Sequence, residues 1–222
     1  MIDQAIRYIP IVDIIESGKF SRILDVGSGS HGCGDYIPLN FVGCDIKFRG
    51  VTSQKLVPVI GSSEHLPFKS SAFEIVVSCD TLEHIENQER ERVIQELVRV
   101  ASEKIIIACP CNTDAANCDR KIASWYKFVH RKYPDWLLEH LKNEMPSEKQ
   151  ISQILAKSHL DFHIIDNENN TIHLIIVALL SIPIISMISA KLVKWCSTKL
   201  SFITKCLNFG TPYRKIFVIS KK

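Results

Sequence analysis

Residues Ile23–Gly32, with the sequence ILDVGSGSHG, join a short strand pattern directly to a glycine loop of the form G-x-G-x-x-G. The three glycines have separate tasks in such a loop. Gly27 permits the tight turn, Gly29 lets the backbone approach a ligand, and Gly32 allows close packing of the segment that follows. The stretch therefore predicts a nucleotide-like ligand at the end of a buried strand, with a plain Gly/Ser surface turn as the alternative.

The next apolar run, FVGCDI over Phe41–Ile46, carries an acidic residue near its end, Asp45. A carboxylate at this place can accept hydrogen bonds from both hydroxyls of a ribose. An acid in a strand-to-loop turn is often only a helix cap, but this one follows the glycine loop at the distance expected within a βαβ unit. We predict Asp45 as a ribose ligand. At this point dinucleotides, flavins and S-adenosylmethionine all remain open.

Apolar runs and breakers along the chain alternate between strand and helix patterns. Strands are predicted near residues 22–26, 41–46, 57–60, 73–79, 104–109, 161–165 and 215–220, and helices near 2–16, 88–100 and 147–158. This alternation predicts an α/β fold with a mainly parallel sheet and helices on both faces. With 222 residues and 46% hydrophobic content, the chain is long enough for one domain over residues 1–222. The eight cysteines lack a two-pair C-x-x-C pattern and are predicted to be reduced thiols.

Three further blocks accompany the glycine loop: the acid Asp25 just before it, SSEHLPFKSSAFEIVVS over residues 62–78, and CDTLEHI over residues 79–85. From about Arg22 to Pro110 the chain resembles the class I S-adenosylmethionine-dependent methyltransferases, of the methyltransferase type 11-like kind. The resemblance implies a Rossmann-like seven-stranded sheet with an antiparallel last strand, and S-adenosyl-L-methionine as cofactor. Dehydrogenases of the NAD type usually carry an apolar residue at the position of Asp25, which counts against hydride transfer.

The same resemblance implies a set of cofactor-binding residues. Asp25 and the backbone of the glycine loop would hold the methionine part, Asp45 the ribose, and the turn after the third strand the adenine. The full set is Asp25, Gly27, Ser28, Gly29, Asp45, Ile46, Ser62, Ser63, Glu64 and Cys79. The family often has an acid where Ser62 stands, so a carboxylate bond to the adenine amino group is in doubt there unless Glu64 supplies it.

The segment after the fourth strand carries the candidate catalytic groups. Methyl transfer requires alignment of the acceptor and, for a hydroxyl acceptor, removal of a proton. Asp80, Glu83 and His84 form D-x-x-E-H, and we predict His84 and Asp80 as catalytic, with His84 as the base. The motif is similar to the E-x-x-E-H arrangement that binds a divalent metal in some ubiquinone-pathway O-methyltransferases and small-RNA 3′-end methyltransferases. Because L-E-H-I is also widespread in methyltransferases that use no metal, the prediction assigns none.

A polar, aromatic-bearing region over residues 111–146 follows the fifth strand and is predicted to form an acceptor-binding cap. Aromatic rings interleaved with Lys and Arg can stack on a sugar or an aromatic head group, or bind a phosphate. The alternative is ordinary packing within a helical cap. The residues concerned are Trp125, Tyr126, His130, Tyr133, Trp136 and His140.

The segment between the last two strands is not explained by the core fold. Residues 172–190, IHLIIVALLSIPIISMISA, carry no formal charge apart from His173 and approach the length of a membrane span. The following KLVKWCSTKLSFITKCLNF places Lys191, Lys194, Lys199 and Lys205 among apolar residues, as in an interfacial helix. Because both flanking strands belong to one sheet, we predict for residues 171–209 a helical hairpin that bends at residues 181–183 and dips into one leaflet. The alternative is a buried core helix.

The charge distribution supports a membrane surface as partner. After Glu168 there are eight Lys and Arg and no acid, whereas the rest of the chain has nineteen Lys and Arg against twenty-four acids. Such a tail is attracted to anionic lipid by about 1 kcal/mol per basic residue. Nucleic acid is not predicted as a partner, since a long apolar run does not suit a wet phosphate interface. The opening segment lacks a secretory signal pattern, so we predict a cytoplasmic protein that is peripherally or monotopically attached to the membrane.

These features together predict an S-adenosylmethionine-dependent methyltransferase that O-methylates a lipid, a lipid-linked glycan or a quinone-like acceptor at the membrane surface. One alternative is a methyltransferase that acts on a soluble small metabolite. Another is a non-catalytic, membrane-tethered S-adenosylmethionine-binding protein. An NAD-dependent oxidoreductase is the third.

Overall fold

The computed structural model describes residues 2–195, 204 and 206–221, and only the backbone of residues 190–195. Seven strands form one sheet in the order β3-β2-β1-β4-β5-β7-β6. Strands β1 to β5 are parallel, and β7 runs antiparallel to both of its neighbours. The strands are β1 Ile23–Val26, β2 Phe41–Asp45, β3 Leu56–Ile60, β4 Phe73–Cys79, β5 Ala101–Pro110, β6 Asp161–Asn169 and β7 Pro212–Ser220.

Helices cover both faces of the sheet. On one face of the sheet α2 and α5 pack against its apolar side chains, and α1 packs on the opposite face. The helices are α1 Ile2–Gly18, α2 Arg90–Val100, α3 Asn112–Val129, α4 Asp135–Lys142, α5 Glu148–Lys157, α6 Asn170–Leu180 and α7 Pro183–Trp195. The predicted Rossmann-like sheet, mainly parallel with an antiparallel last strand, is confirmed.

The central strands are buried on both sides, which explains why their sequences are continuously apolar rather than alternating. In β5, residues 105–109 are at most 1% exposed. The sheet reverses its order around β1 and β4, so the ends of these two strands open into the crevice where α/β proteins bind ligands.

The last two strands are longer than predicted. Strand β6 continues to Asn169 and β7 begins at Pro212, beyond the apolar runs that predicted them. Four of the added residues, Asn167, Glu168, Asn169 and Arg214, are polar but buried, and hydrogen bonds across the ladder pair some of them. Arg214 lies opposite Asn167 and donates to its side-chain oxygen at 3.1 Å.

The segment between β6 and β7 forms two short helices. Asn169 caps α6 by accepting hydrogen bonds from the backbone N–H groups of Thr171 and Ile172. No single helix in the described part of the chain is long and apolar enough to cross a bilayer, but Asn170–Leu180 and Pro183–Ser189 reach that threshold as a pair bent by 111°. The break lies where the sequence predicts the bend, and Pro183 begins α7.

Part of the predicted basic segment lies outside the described residues. This applies to Lys199 and Lys205, and to the side chains of Lys191 and Lys194.

The central position of β5 generates a stability prediction. Ile106 is fully buried, and its replacement by alanine should lower the free energy of unfolding by about 2–5 kcal/mol because it leaves a cavity among packed side chains. The matched control is Val57→Ala on β3, where the side chain is 54% exposed and the cost should stay within about 0.5 kcal/mol. Urea unfolding followed by circular dichroism measures both. Equal midpoints for the two variants would contradict the buried position of β5.

Candidate active site

The glycine loop after β1 adopts the backbone that only glycine accommodates easily. Gly27 and Gly29 have φ angles of 76° and 54°, in the left-handed region. A Cβ atom on Gly27 would lie 2.2 Å from the Thr81 hydroxyl, whereas one on Gly29 would meet nothing within 4 Å. The loop therefore packs tightly against the segment after β4 and faces open space at Gly29, where a ligand can approach.

The structure brings Asp45 to this loop. Its Oδ2 accepts a hydrogen bond from the Gly29 N–H at 2.8 Å, and its Oδ1 accepts one from the Lys47 N–H at 3.2 Å. The carboxylate oxygens retain acceptor capacity beyond these bonds. Ile46, the next residue, is 69% exposed, so an apolar side chain stands free beside the carboxylate.

The turn after β3 lies next to Asp45, because the Gly61 N–H donates to the Asp45 carbonyl at 3.0 Å. Within the turn the Ser62 hydroxyl accepts from the Glu64 N–H at 3.2 Å, and Ser62 also bridges to His65. Ser62, Ser63 and Glu64 are all partly exposed. The structure thus gathers three predicted groups, the loop, Asp45 and this turn, at one edge of the sheet.

Asp25 lies beneath the loop and is fully buried. Its Oδ2 accepts from the Cys33 N–H at 3.0 Å, while its Oδ1 has no hydrogen-bond partner. Burial raises the pKa of Asp25 to about 7, against the opposing effect of the Cys33 bonds. The Oδ1 atom is thus a buried acceptor without a donor. Cys79, the last residue of β4, is 4% exposed and packs in the core.

A cavity of about 380 Å³ lies at the end of β4. The predicted groups Asp80, Glu83 and His84 all line it, together with residues of the predicted cap. The inner residues of α6 and α7 form another wall. The cap and hairpin residues that line the cavity are Tyr126, Trp136, His140, His173, Val177, Leu180 and Ser186.

Asp80 is held by two arginines. Its Oδ1 and Oδ2 accept from Arg214 at 2.6 and 2.8 Å, and Arg7 lies 3.3 Å from Oδ2. Burial would raise the pKa of Asp80, but the two guanidinium groups lower it to about 2. Asp80 is therefore a permanent anion with little affinity for a proton.

Arg214 and Arg7 were not among the sequence-predicted site residues. Arg214 is 1% exposed, and besides Asp80 it pairs with Glu168 at 3.0 Å. The available signal was an arginine directly before the predicted last strand, since a guanidinium in a buried strand requires an acidic partner.

A second polar cluster combines Glu83, His84 and His140. Glu83 is 1% exposed and neither of its carboxylate oxygens has a hydrogen-bond partner. Burial and the nearby Asp80 raise the pKa of Glu83. His140 Nε2 lies 3.9 Å from Glu83 Oε1, and one possible ligand atom from each of the three residues lies within 4.8 Å of the others.

Both imidazoles of this cluster are backed by carboxylates. His84 Nδ1 lies 2.6 Å from Glu139 Oε2, and His140 Nδ1 lies 2.8 Å from Asp119 Oδ2. Asp119 also accepts from the Tyr213 hydroxyl at 2.8 Å. Burial and the neighbouring His140 lower the pKa of His84, although Glu139 opposes this. His140 reaches the cluster from α4, and sequence reasoning had placed it only in the cap.

The sequence of residues 24–108 matches the model of a protein family described as a methyltransferase domain. Norajmaline N-methyltransferase of Rauvolfia serpentina is 28% identical over 46% of this chain and 39% of its own length. Tocopherol O-methyltransferase of Arabidopsis thaliana is 24% identical over 56% of this chain and 40% of its own length. The matches thus cover about two fifths of these curated relatives.

A solved structure extends the likeness across the fold. Magnesium protoporphyrin IX methyltransferase from Synechocystis PCC 6803, with SAH bound, superposes with a TM-score of 0.59 at 14% identity, over 97% of this chain and 82% of that one. Three observations point to the same fold. They are the strand order, the glycine loop with Asp25 and Asp45, and the family match to residues 24–108. Residues 24–108 are therefore a methyltransferase domain by sequence, and the chain has the fold of the class I S-adenosylmethionine-dependent methyltransferases.

Proposed function

We propose that this protein transfers a methyl group from S-adenosylmethionine to a small amphiphilic acceptor held in the cavity after β4. The observation that carries the proposal is the direct contact between the cofactor loop and the cavity segment. Thr81 packs against Gly27 and donates its hydroxyl proton to the Val26 carbonyl at 3.2 Å. Asp80 and His84, on either side of Thr81, line the cavity. A methyl donor on the loop and an acceptor in the cavity are therefore neighbours.

When bound, S-adenosylmethionine supplies a methyl group already activated by the sulfonium charge, so the protein contributes mainly alignment. Asp25 would hold the methionine ammonium, Asp45 the ribose hydroxyls, and Ile46 with the turn at residues 62–64 the adenine. His84 keeps its predicted role as proton acceptor, because its ring lines the cavity and Glu139 fixes its orientation. Asp80 is a positioning residue, since both of its oxygens are engaged by Arg214.

The walls of the cavity favour an acceptor with an apolar body and a polar head. Val177, Leu180 and Trp136 provide apolar and aromatic surface, while Arg7 and Arg214 provide positive charge. One relative is by name an O-methyltransferase of tocopherol, which supports an oxygen atom on an amphiphile as the site of methylation. A lipid, a lipid-linked glycan or a quinone-like molecule has this character.

The hairpin of α6 and α7 supports attachment to the membrane surface. Ile184, Met187 and Ile188 on α7 are 71%, 68% and 54% exposed, an unusual density of free apolar side chains. The bend is held from within, since Trp125 donates to the Ser181 hydroxyl at 3.1 Å and His130 lies 3.0 Å from the same oxygen. We therefore propose monotopic binding through this hairpin, which would bring the cavity to the surface from which a lipid-like acceptor enters.

Calorimetry with S-adenosylmethionine and S-adenosylhomocysteine tests the cofactor site. Both should bind the wild type, and Asp45→Ala should weaken binding about 10- to 100-fold because charge-assisted hydrogen bonds to the ribose are lost. Glu103→Ala, an exposed acid on β5, is the matched control and should bind as the wild type does. Circular dichroism verifies the fold of each variant. Preferential binding of NAD would overturn the proposal.

The buried Asp25 predicts a pH dependence of cofactor affinity. Its pKa is raised to about 7, so it takes up a proton in the free protein below that pH, whereas an ammonium ligand requires the carboxylate. Affinity should be complete above pH 7 and fall about tenfold per pH unit below it. Asp25→Asn should bind more weakly at pH 8, and its affinity should follow only the titration of the ligand itself. Identical pH profiles for the two proteins would exclude this role of Asp25.

Flotation with vesicles of phosphatidylcholine and phosphatidylglycerol tests the hairpin. The wild type should float with the vesicles, and the triple variant Ile184→Ser/Met187→Ser/Ile188→Ser should lose at least about tenfold in partitioning, since each side chain gains about 1.5–3 kcal/mol when buried. The control Val51→Ser/Val57→Ser removes two exposed apolar residues, one from the loop before β3 and one from β3 itself, the edge strand opposite the hairpin, and should float normally. Failure of the wild type to float, or flotation of the triple variant at the wild-type level, would remove the membrane proposal.

A further inference from the structure

We propose that the turn between α3 and α4 is a second membrane contact, which binds the head groups of anionic phospholipids beside the hairpin. The contact consists of residues 127–132, KFVHRK, and is called the cap tip below. The inference rests on the proposed attachment through the hairpin and adds to it a preference for negatively charged lipid.

The cap tip presents apolar and basic side chains to the outside together. All six of its residues are exposed, and within it Phe128 is 84% and Val129 41% exposed. A single exposed apolar residue is ordinary on a protein surface. A phenylalanine placed among cations is different, because this combination is typical of segments that lie in the membrane interface, where the ring leaves water and the cations meet the head groups.

The charge around the cap tip has one sign. Residues 120–134 carry five Lys and Arg and no Asp or Glu, and the next acid along the chain is Asp135 at the start of α4. Within the described part of the chain, Lys127, Arg131 and Lys132 form no ion pair. Their ammonium and guanidinium groups are therefore free to bind phosphate oxygens. The surface that complements them is an anionic leaflet.

The cap tip lies against the bend of the hairpin. Trp125, just before it, donates to the Ser181 hydroxyl at 3.1 Å, and His130 within it lies 3.0 Å from the same oxygen. Ile184, the first of the exposed apolar residues of α7, follows Ser181 by three residues, which span at most about 11 Å. The cap tip and the exposed start of α7 are thus neighbours, so one bilayer surface can contact both.

The two surfaces supply complementary interactions. Residues 171–189 of the hairpin contain no Lys, Arg, Asp or Glu, so their contact with a bilayer is apolar and depends little on the charge of the lipid. The cap tip adds cations, whose attraction to a charged leaflet is screened by salt. The contributions of the hairpin and the cap tip are therefore separable by lipid composition.

Flotation of the full chain with two kinds of vesicle tests the inference, one of phosphatidylcholine alone and one with phosphatidylglycerol added. The wild type should partition more strongly onto the vesicles with phosphatidylglycerol, and added NaCl should reduce this preference. Lys127→Gln/Arg131→Gln/Lys132→Gln should lose about 100-fold on these vesicles, about fivefold for each basic residue, and behave as the wild type on phosphatidylcholine. Phe128→Ser should lose at least about tenfold on both.

The charge-matched control is Lys19→Gln/Lys69→Gln/Lys157→Gln. These exposed lysines precede β1, β4 and β6, at the edge of the sheet opposite the cavity, and the control should bind both kinds of vesicle as the wild type does. Circular dichroism verifies the fold of every variant. The inference is overturned if the triple variant of the cap tip keeps the wild-type preference for phosphatidylglycerol, or if the control loses as much of it.

Two further results separate this inference from its neighbours. If the wild type binds a single-stranded oligonucleotide, and the triple variant of the cap tip loses that binding but partitions onto vesicles as before, the cations serve nucleic acid and the inference is overturned. If the wild type binds only the vesicles with phosphatidylglycerol, and the triple variant loses this binding, insertion of the hairpin is excluded while the cap tip is supported.

Discussion

The buried ion pair between Arg214 and Asp80 is the interaction on which the site depends. It joins the antiparallel last strand to the end of β4, and through Arg7 and Glu168 it also reaches α1 and β6. Removing one partner of such a pair costs about 3–5 kcal/mol, because a charge is left buried without compensation. The pair therefore imposes a geometric constraint more than it adds stability. It fixes the backbone of Asp80, which has a φ angle of +51°, at the point where the cofactor loop and the cavity meet.

This constraint also separates the tasks of neighbouring residues in the D-x-x-E-H segment. Asp80 faces two guanidinium groups, which favour its anion, whereas Glu83, three residues later, is buried and neither of its carboxylate oxygens has a hydrogen-bond partner. His84 is nearer the surface and is oriented by Glu139 from the cap. Within this short segment Asp80 therefore anchors the backbone through Arg214. Glu83 and His84 are the two side chains that remain available to contact a ligand in the cavity.

The sequence predicted the parts of the fold that depend on local pattern. The glycine loop, Asp45 and the apolar strands lie where their spacing placed them, because glycine conformation and apolar burial are encoded within a few residues. The extensions of β6 and β7 were missed because their residues are polar, and their burial depends on pairing across the sheet. The same reason applies to Arg214, which is separated from its partner Asp80 by 134 positions. His140 was recognised only as a cap residue, since nothing in the sequence shows that α4 turns its imidazole toward Glu83.

The hairpin between β6 and β7 has apolar side chains on both of its faces. Val177 and Leu180 line the cavity, whereas Ile184 and Met187 are exposed. A core helix would bury its apolar residues on one side and present polar residues to water, and this hairpin instead presents apolar residues in both directions. The same short segment therefore contributes to the wall of the cavity and to the outer surface of the molecule. This is why we propose that the insertion, rather than the methyltransferase core, carries both the contact with lipid and part of the acceptor site.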